Sequence, residues 1–499
     1  MLRLATLFSG IGAIEHALYR MNIKHKIVFA CDNGDVDVLS NKINYDSDSI
    51  WEALEDLSSQ IAKQKPNIFK SKNDDIPWQF DFLVSQHKKV VKRYKELSSQ
   101  SLIDEKNEKK QIKELADQTS MLYERLNTIK VLLHLETLKT YEEKKQYVDS
   151  LYEKKKSANK VMQSYMANYD LSEKDYHWNI SFLDGKQYKD KVDMLVGGSP
   201  CQSFSLVGKQ RGLADTRGTL FYEFARMIKQ VSPKIFIYEN VRAVLSNDNG
   251  KTWATMQKVF TELNYSWSMQ VLNAKDFGIP QNRERIFVVG FRNDLKLKNQ
   301  FEFPKPIKLE RKMSDFLVDN PAGHYYLPEK GAAFVTDKKN LNKSYTQIDG
   351  IIALCQTKNQ QFNWHGDFIF VENDPNKEKT MTEVKKYYLS QKVQAYVMAD
   401  GTKGFHSKPA TDLDVARPLL QTMHKMHRSG IDNYVTREGH LRKLTPRECL
   451  RLMGFSDTFK IVVADTPMYQ QAGNSIVVDV LIALVKQIKK SYDFGGDSK

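Results

Sequence analysis

Val192-Asp193-Met194-Leu195-Val196-Gly197-Gly198-Ser199-Pro200-Cys201-Gln202-Ser203-Phe204-Ser205 is the stretch on which the fold turns. An apolar run broken only by Asp193 predicts a buried strand. Two glycines and a proline end it and force a sharp turn. Just past the turn stands a thiol, Cys201. In an α/β protein, the end of such a strand is the sheet edge where ligands collect. A lone cysteine there is ordinarily a small buried residue, so its meaning depends on what surrounds it.

Moving outward, Ile235-Phe236-Ile237-Tyr238 predicts another strand, and its tip carries Glu239-Asn240-Val241. Further on, Gln281-Asn282-Arg283-Glu284-Arg285 leads into a strand from Ile286 to Phe291. Residues two apart on a strand share a face, so Arg283 and Arg285 are placed to converge on one ligand or to form surface ion pairs. At the start of the chain, Leu4 to Phe8 predicts a first strand, Ser9-Gly10-Ile11-Gly12 a tight turn, and Ala13 to Met21 a helix. That order opens a nucleotide-type α/β fold, with glycines admitting a ligand to the backbone and free N–H groups at the helix start. A second strand, Ile27 to Cys31, ends in Asp32, a carboxylate suited to a ribose diol or to a turn.

The chain has 499 residues, enough for two or three domains, and 41% are hydrophobic. Its formal net charge of +14 suits a polyanionic partner. The four cysteines, Cys31, Cys201, Cys355 and Cys449, are far apart and include no CxxC pair, so neither a metal site nor a disulfide framework is expected. No signal-peptide layout or membrane-spanning stretch is read, and a cytoplasmic protein is expected.

From about Asp46 to Asp175 the sequence is rich in Lys, Glu, Gln and Ser and has no Gly or Pro after Pro77. From Val90 onward it predicts long helices, with Leu115, Leu122, Leu126, Ile129 and Leu132 at three- and four-residue steps. This is an inserted helical subdomain, either a solvated spacer or a contact arm. The α/β alternation resumes at Asn179-Ile180. Ser203 to Arg217 is mostly polar, with two glycines and three basic residues, and predicts a loop over the thiol, with Val207 a candidate wedge. Between about Glu310 and Glu438 lies a variable stretch with Trp364, His365, Lys403, His406, Lys425, His427 and Arg428. Leu444 to Phe455 and a helix from Ile476 to Ser491 close the chain.

The ordered set Phe8-Ser9-Gly10-Ile11-Gly12, Pro200-Cys201-Gln202, Glu239-Asn240-Val241, Gln281-x-Arg283-x-Arg285 and Gly473-Asn474-Ser475 resembles the bacterial DNA cytosine-5 methyltransferases. The resemblance covers about 1–46, 179–305 and 442–490. It implies a Rossmann-like α/β fold dependent on S-adenosylmethionine, and a target-recognition domain over 310–438 that reads bases in the major groove. The pair Thr-Leu usual there is absent, with Leu420-Gln421-Thr422 nearest. Cys201 is implied as the nucleophile at cytosine C6, Glu239 as the group holding a proton at ring N3, and Arg283 and Arg285 at the O2 side, lowering the thiol pKa. Phe8, Gly10, Ile11 and Gly12 would cradle S-adenosylmethionine, Asp32 its ribose, and Asn179 with Ile180 its adenine, beside Asn33, while Leu220 and Asn474 would line the same pocket. Asn179 replaces the family's usual aspartate, and Asp32 and Asn33 replace a commoner glutamate and apolar residue, so looser adenine packing is expected.

The expected domains are 1–45, 176–309 and 439–499 for the catalytic part, 46–175 for the insertion and 310–438 for recognition. The expected activity is sequence-specific methylation of double-stranded DNA with base flipping, in a restriction–modification setting with an endonuclease as functional partner. The protein is expected to act as a monomer on DNA, with no metal and no membrane. A tRNA cytosine-5 methyltransferase and a non-catalytic DNA-binding relative are the alternatives.

Overall fold

The computed structural model describes residues 1–99, 105–200, 219–318, 323–343, 345–358, 364–371, 401–402, 405–406 and 440–494. Cys201, the loop Ser203–Arg217 with Val207, Leu420-Gln421-Thr422, Lys403, Lys425, His427 and Arg428 lie outside the described residues.

Seven strands form the central sheet: β1 (Leu2–Leu7), β2 (His25–Cys31), β3 (Tyr176–His177), β4 (Met194–Gly197), β5 (Ile235–Val241), β6 (Tyr265–Asn273) and β7 (Glu284–Arg292). Their order is β3-β2-β1-β4-β5-β7-β6. The first five run parallel, while β7 is antiparallel to both β5 and β6. The parallel strands are mostly apolar because both faces are covered: Leu4, Ala5 and Leu7 of β1, Leu195 of β4 and Phe236 of β5 have no exposure. All five carboxyl ends therefore meet along one edge, where Phe8, Asp32 and Gly198 follow their strands.

Helix α1 (Ala13–Arg20) follows β1. Next come α2 (Ser47–Ile68), α3 (Asp75–Ser98), α4 (Glu105–Thr137), α5 (Tyr141–Tyr152) and α6 (Lys160–Asn168). The helices begin well before Val90. Asp46 caps α2 by accepting from the Ser49 N–H, and Pro77 sits in the first turn of α3, where a missing N–H costs nothing. Helices α2, α3 and α4 share their own apolar core around Leu54, Leu57, Ile76, Leu83 and Leu126. By contrast, Val148 and Tyr152 of α5 and Met162 and Tyr165 of α6 pack with Ile27 and Ala30 of β2 and Tyr176 of β3. The sheet resumes at β3, ahead of Asn179, which instead caps a short 3₁₀ turn.

Helices α7 (Leu220–Val231) and α8 (Lys251–Glu262) cover one face of the sheet. The stretch 310–438 contributes α9 (Glu329–Thr336), α10 (Lys338–Asn342), β8 (Thr346–Ile348), β9 (Gly366–Val371), β10 (Gly401–Thr402) and β11 (Phe405–His406), and β12 (His440–Lys443) follows it. β12, β9 and β8 make a small sheet of their own. The chain ends with α11 (Pro446–Leu452), α12 (Asp465–Asn474) and α13 (Val478–Ser491). Residues 465–491 have the length and apolarity of a membrane span. They break at Ser475–Val477 into α12 and α13, and α13 buries Leu481, Leu484, Val485 and Ile488 in the core shared with α1.

Candidate active site

Gly198 sets the geometry at the end of β4. A Cβ built there would lie 2.7 Å from the Glu239 carbonyl oxygen and 2.8 Å from Glu239 Oε2, closer than real Cβ contacts come. Only glycine lets this turn lie against the neighbouring strand's carboxylate. Gly197 is equally confined, by the Leu7 carbonyl at 2.6 Å. Asn240 then clamps the turn. Its side-chain amide donates to the Ser199 carbonyl (3.0 Å) and to the Tyr238 hydroxyl (2.7 Å), which itself bonds Ser199 Oγ at 2.7 Å. Cys201 is one peptide beyond Pro200, outside the described residues.

Glu239 lies within β5, its side chain 13% exposed, with Arg285 Nε 3.2 Å from Oε1. Burial raises its pKa, and the Arg285 and Arg283 charges oppose the rise. Arg285 belongs to β7, directly across from Val241.

Arg283 behaves differently. It precedes β7, and its guanidinium points to backbone rather than to Glu239. Nη1 donates to the Gln356 carbonyl (2.9 Å), and Nη2 to those of Gly473 (3.0 Å) and Ser475 (2.8 Å). Burial and the Arg285 charge lower its pKa to about 10. Thus the two arginines share one neighbour, the Cys355 sulfur, at 3.8 Å from Arg283 Nη1 and 3.9 Å from Arg285 Nη2, but have different polar partners. Gln281 joins the same junction: Ala353 bridges to it, the Gln356 N–H donates to its Oε1, and its amide donates to the Leu452 carbonyl. Residues 353–356 are therefore stitched to the edge of the central sheet.

At the other side of the edge, Phe8, Gly10 and Gly12 all take positive φ, and Gly12 starts α1. Beside Gly10 a Cβ would meet nothing nearer than the Phe8 carbonyl at 4.0 Å, so this part of the turn is open. Asp32 accepts from the Gly10 N–H (2.9 Å) and the Gly34 N–H (2.8 Å), and burial raises its pKa against both bonds. Asn33 is exposed and accepts from the Asp35 N–H. Ile11 and Ile180 are buried, Leu220 is half-buried, and Asn474 is exposed at the end of α12. Asn179 donates to the Tyr152 hydroxyl (3.3 Å), and Tyr152 stacks on Trp178 at 4.9 Å. An open glycine turn beside an engaged carboxylate, at the carboxyl ends of parallel strands, fits an adenosyl donor.

No local sequence pattern points to three side chains that shape this turn from α6 and its flanks. Tyr169 donates to the Ile11 and Gly12 carbonyls at 3.1 and 2.7 Å, and its ring occupies the space a Gly12 Cβ would need. Asn159 donates to the Asp32 carbonyl. Tyr165 donates to Glu15 (2.5 Å), which also accepts from Thr6. Cys355 was likewise missed, since nothing in its local pattern marks it.

The sequence profile of the family described as C-5 cytosine-specific DNA methylase matches residues 140–490. The chain belongs to the C-5 cytosine-specific DNA methylases. Its relatives include type II methyltransferase M.HhaI of Haemophilus parahaemolyticus, 33% identical over 303 residues, 60% of this chain and 77% of that one. Type II methyltransferase M.SsoII of Shigella sonnei is 32% identical over 343 residues, 67% and 72% of the two chains. Among solved structures, the S. pombe Dnmt2 methyltransferase aligns with a TM-score of 0.47 at 14% identity, covering 98% of this chain and 99% of that one. The profile match to the methylase begins at 140, so it includes α5 and α6, the helices packed on β2 and β3. As a member of this family the methylase is an enzyme that transfers a methyl group to C5 of cytosine in DNA.

Proposed function

We propose that the methylase acts through Cys201, Glu239 and Arg285, with Arg283 holding the recognition region in place. The observation that carries this is the Glu239–Arg285 pair pressed against Gly198, three residues before Cys201. The Cys201 thiolate adds to C6 of the target cytosine, and the ring electrons move toward N3. Burial raises the Glu239 pKa, which favours the protonated carboxyl able to place its proton on N3. Arg285 holds that carboxyl in register and faces the same side of the ring. C5 becomes enamine-like and takes up the methyl group. Loss of the C5 proton and departure of the thiolate restore the double bond, and the N3 proton returns to Glu239. The cytosine must leave the duplex to be reached.

Phe8, Gly10, Ile11, Gly12, Asp32, Asn33, Asn179, Ile180, Leu220 and Asn474 would hold S-adenosylmethionine. When bound, it supplies the electrophilic methyl group. Asp32 orients the glycine turn through Gly10 and keeps lone pairs for a diol. The insertion proper is proposed to run from the end of the β2 turn to about 139, where the family match starts. The kinship to type II enzymes supports a restriction–modification role beside an endonuclease.

The test is labelled methyl transfer to duplex DNA and to tRNA in parallel, with trapping on 5-fluorocytosine duplex. The expected result is label in DNA and a stable adduct that Cys201→Ser does not form. Label confined to tRNA, or an adduct in Cys201→Ser, would overturn the assignment. Bisulfite sequencing of DNA from expressing cells gives the target site.

A further inference from the structure

The helices α2, α3 and α4 lie outside the family match, and nothing in the reaction above uses them. Their surface nevertheless carries a built basic groove. Ser58 of α2 and His87, Lys88, Val91, Lys92, Lys95, Glu96 and Ser99 line a cleft of about 580 Å³. Lys88, Lys92 and Lys95 fall at i, i+4 and i+7, one face of α3, with axial steps of about 6 and 4.5 Å. Among the described residues of the lining Glu96 is the single carboxylate, 3.7 Å from Lys92. Lys88 and Lys95 have no ion pair among the described residues. On α2, Asp56 is engaged elsewhere, accepting from Tyr123 and Gln60, while Glu55 is exposed on the turn between Trp51 and Ser58.

The groove walls are fixed. His87 Nε2 lies 3.2 Å from Ser58 Oγ and 3.1 Å from the Leu54 carbonyl. Trp51 stacks on Tyr94 at 5.1 Å, and the Lys95 ammonium sits 5.8 Å over the Trp51 ring. On the opposite face Arg93 pairs with Glu114 of α4 at 2.7 Å, which sets the rotation of α3 about its axis.

The base of this arm stands beside the reacting edge. Asp75, the first residue of α3, accepts from the Tyr222 hydroxyl (2.5 Å) in the first turn of α7, the helix that follows the Cys201 segment. From Asp75, α3 carries Lys88 about 20 Å and Lys95 about 30 Å outward. At 3.4 Å per base pair that is roughly six to nine base pairs.

We propose that the α2–α3 groove binds the phosphate backbone of the substrate duplex some six to nine base pairs from the target cytosine, as a sequence-independent second contact. The proposal rests on the DNA-methylating reading of the site. Duplex DNA is favoured over an acidic protein because three regularly stepped ammonium groups meet a polyanion of uniform charge spacing, and the arm is rooted on Tyr222 in the first turn of α7, a helix of the catalytic fold.

The test uses the full-length methylase and its variant Lys88→Gln/Lys92→Gln/Lys95→Gln, with target-centred duplexes of about 10 and about 30 base pairs. The parent should bind the long duplex about tenfold more tightly than the short one, with a salt slope steeper by about 2.7 for three phosphates. The variant should lose that difference and that slope while methylating the short duplex at the parent's rate. A variant that binds the long duplex with the parent's affinity and slope would overturn the proposal, as would equal losses on both duplexes. Displacement of the long duplex from the groove by polyglutamate at equal charge concentration would assign the surface to an acidic protein instead. If the parent binds both duplexes but methylates neither, the catalytic reading fails while the comparison of affinities still decides the groove.

Discussion

Arg283→Lys separates a group that grips the cytosine from one that holds two parts of the protein together. Arg283 is 4% exposed and donates to three carbonyls, of Gln356, Gly473 and Ser475. These acceptors lie on two separate segments, Gln356 ahead of β9 and Gly473 with Ser475 at the end of α12. A lysine keeps the charge but replaces the fork with a single nitrogen. Placed where Nη2 sits, it can bond the Gly473 and Ser475 carbonyls but strands that of Gln356. At about 1.5–3 kcal/mol for a bond from a charged donor, that is the size of the loss, a sizeable share of the roughly 5–15 kcal/mol that holds a typical domain folded. Guanidinium unfolding should therefore show a markedly lower midpoint at unchanged slope. Amide exchange should speed up in 353–358 and 472–478. The same exchange in Arg285→Lys should match the parent, because Arg285 is paired with the Glu239 side chain and bonds none of those three carbonyls. If Arg283→Lys unfolds at the parent's midpoint with the parent's exchange pattern yet fails to turn over, Arg283 acts on the base and the structural assignment is wrong.

Three further outcomes follow from distances and charges already described. Glu239→Gln should cut turnover by a factor of about 10² or more with donor affinity nearly intact, read by calorimetric titration of S-adenosylmethionine; loss of donor binding would mean the carboxyl belongs to that pocket. Gly198→Ala forces a methyl group into the Glu239 main chain and should cost about 1–3 kcal/mol together with most of the activity, whereas a fully active alanine variant would show that the turn does not fix the carboxylate. Glu15 is fully buried, and burial raises its pKa to about 7. A raised carboxyl pKa means the folded state holds a proton that the unfolded state has released, so this contribution is complete below pH 4.5 and is lost as pH climbs through 7. Relative to the parent, Glu15→Gln should gain up to about 3 kcal/mol between pH 4.5 and 8, and a difference in thermal midpoint that stays flat with pH would refute it.

The glycine turns, the carboxylate of β5 and the parallel sheet were legible because each is written in a short, contiguous string. Glu239 directly follows the apolar run Ile235–Tyr238, although the strand continues to Val241, and Gly12 needs only a strand-to-helix corner. Arg283 was not legible in the same way. A two-residue period places it on the face of Arg285, but β7 begins one residue later, and the pairing of the Asn282 N–H with the Ala353 carbonyl turns the preceding backbone toward the recognition region. Asn240 looked like the companion of Glu239; its work as a clamp on Ser199 depends on a contact across 41 positions. The helix starts at Ser47 and Asp75 were obscured by Pro66 and Pro77, which read as breakers but sit in the last and first turns of their helices. Tyr169 and Cys355 reach the site from segments whose own patterns are those of ordinary amphipathic or extended chain. Side chains delivered by tertiary contact leave no local period to detect.

Strands β2 and β3 are sheet neighbours, yet the 144 residues 32–175 separate them. Closing a featureless loop of that length costs about 4 kcal/mol of chain entropy, rising only logarithmically with size. The separate apolar cluster of α2, α3 and α4 lets those helices collapse on local contacts first. The remaining span is then tied off at its neck, where Asn159 reaches the Asp32 carbonyl. A loop shortened in this way to some twenty effective residues recovers roughly 2 kcal/mol. The arm thus acts during synthesis as a self-folding knot, allowing the last parallel strand to find its place despite the long detour in the chain.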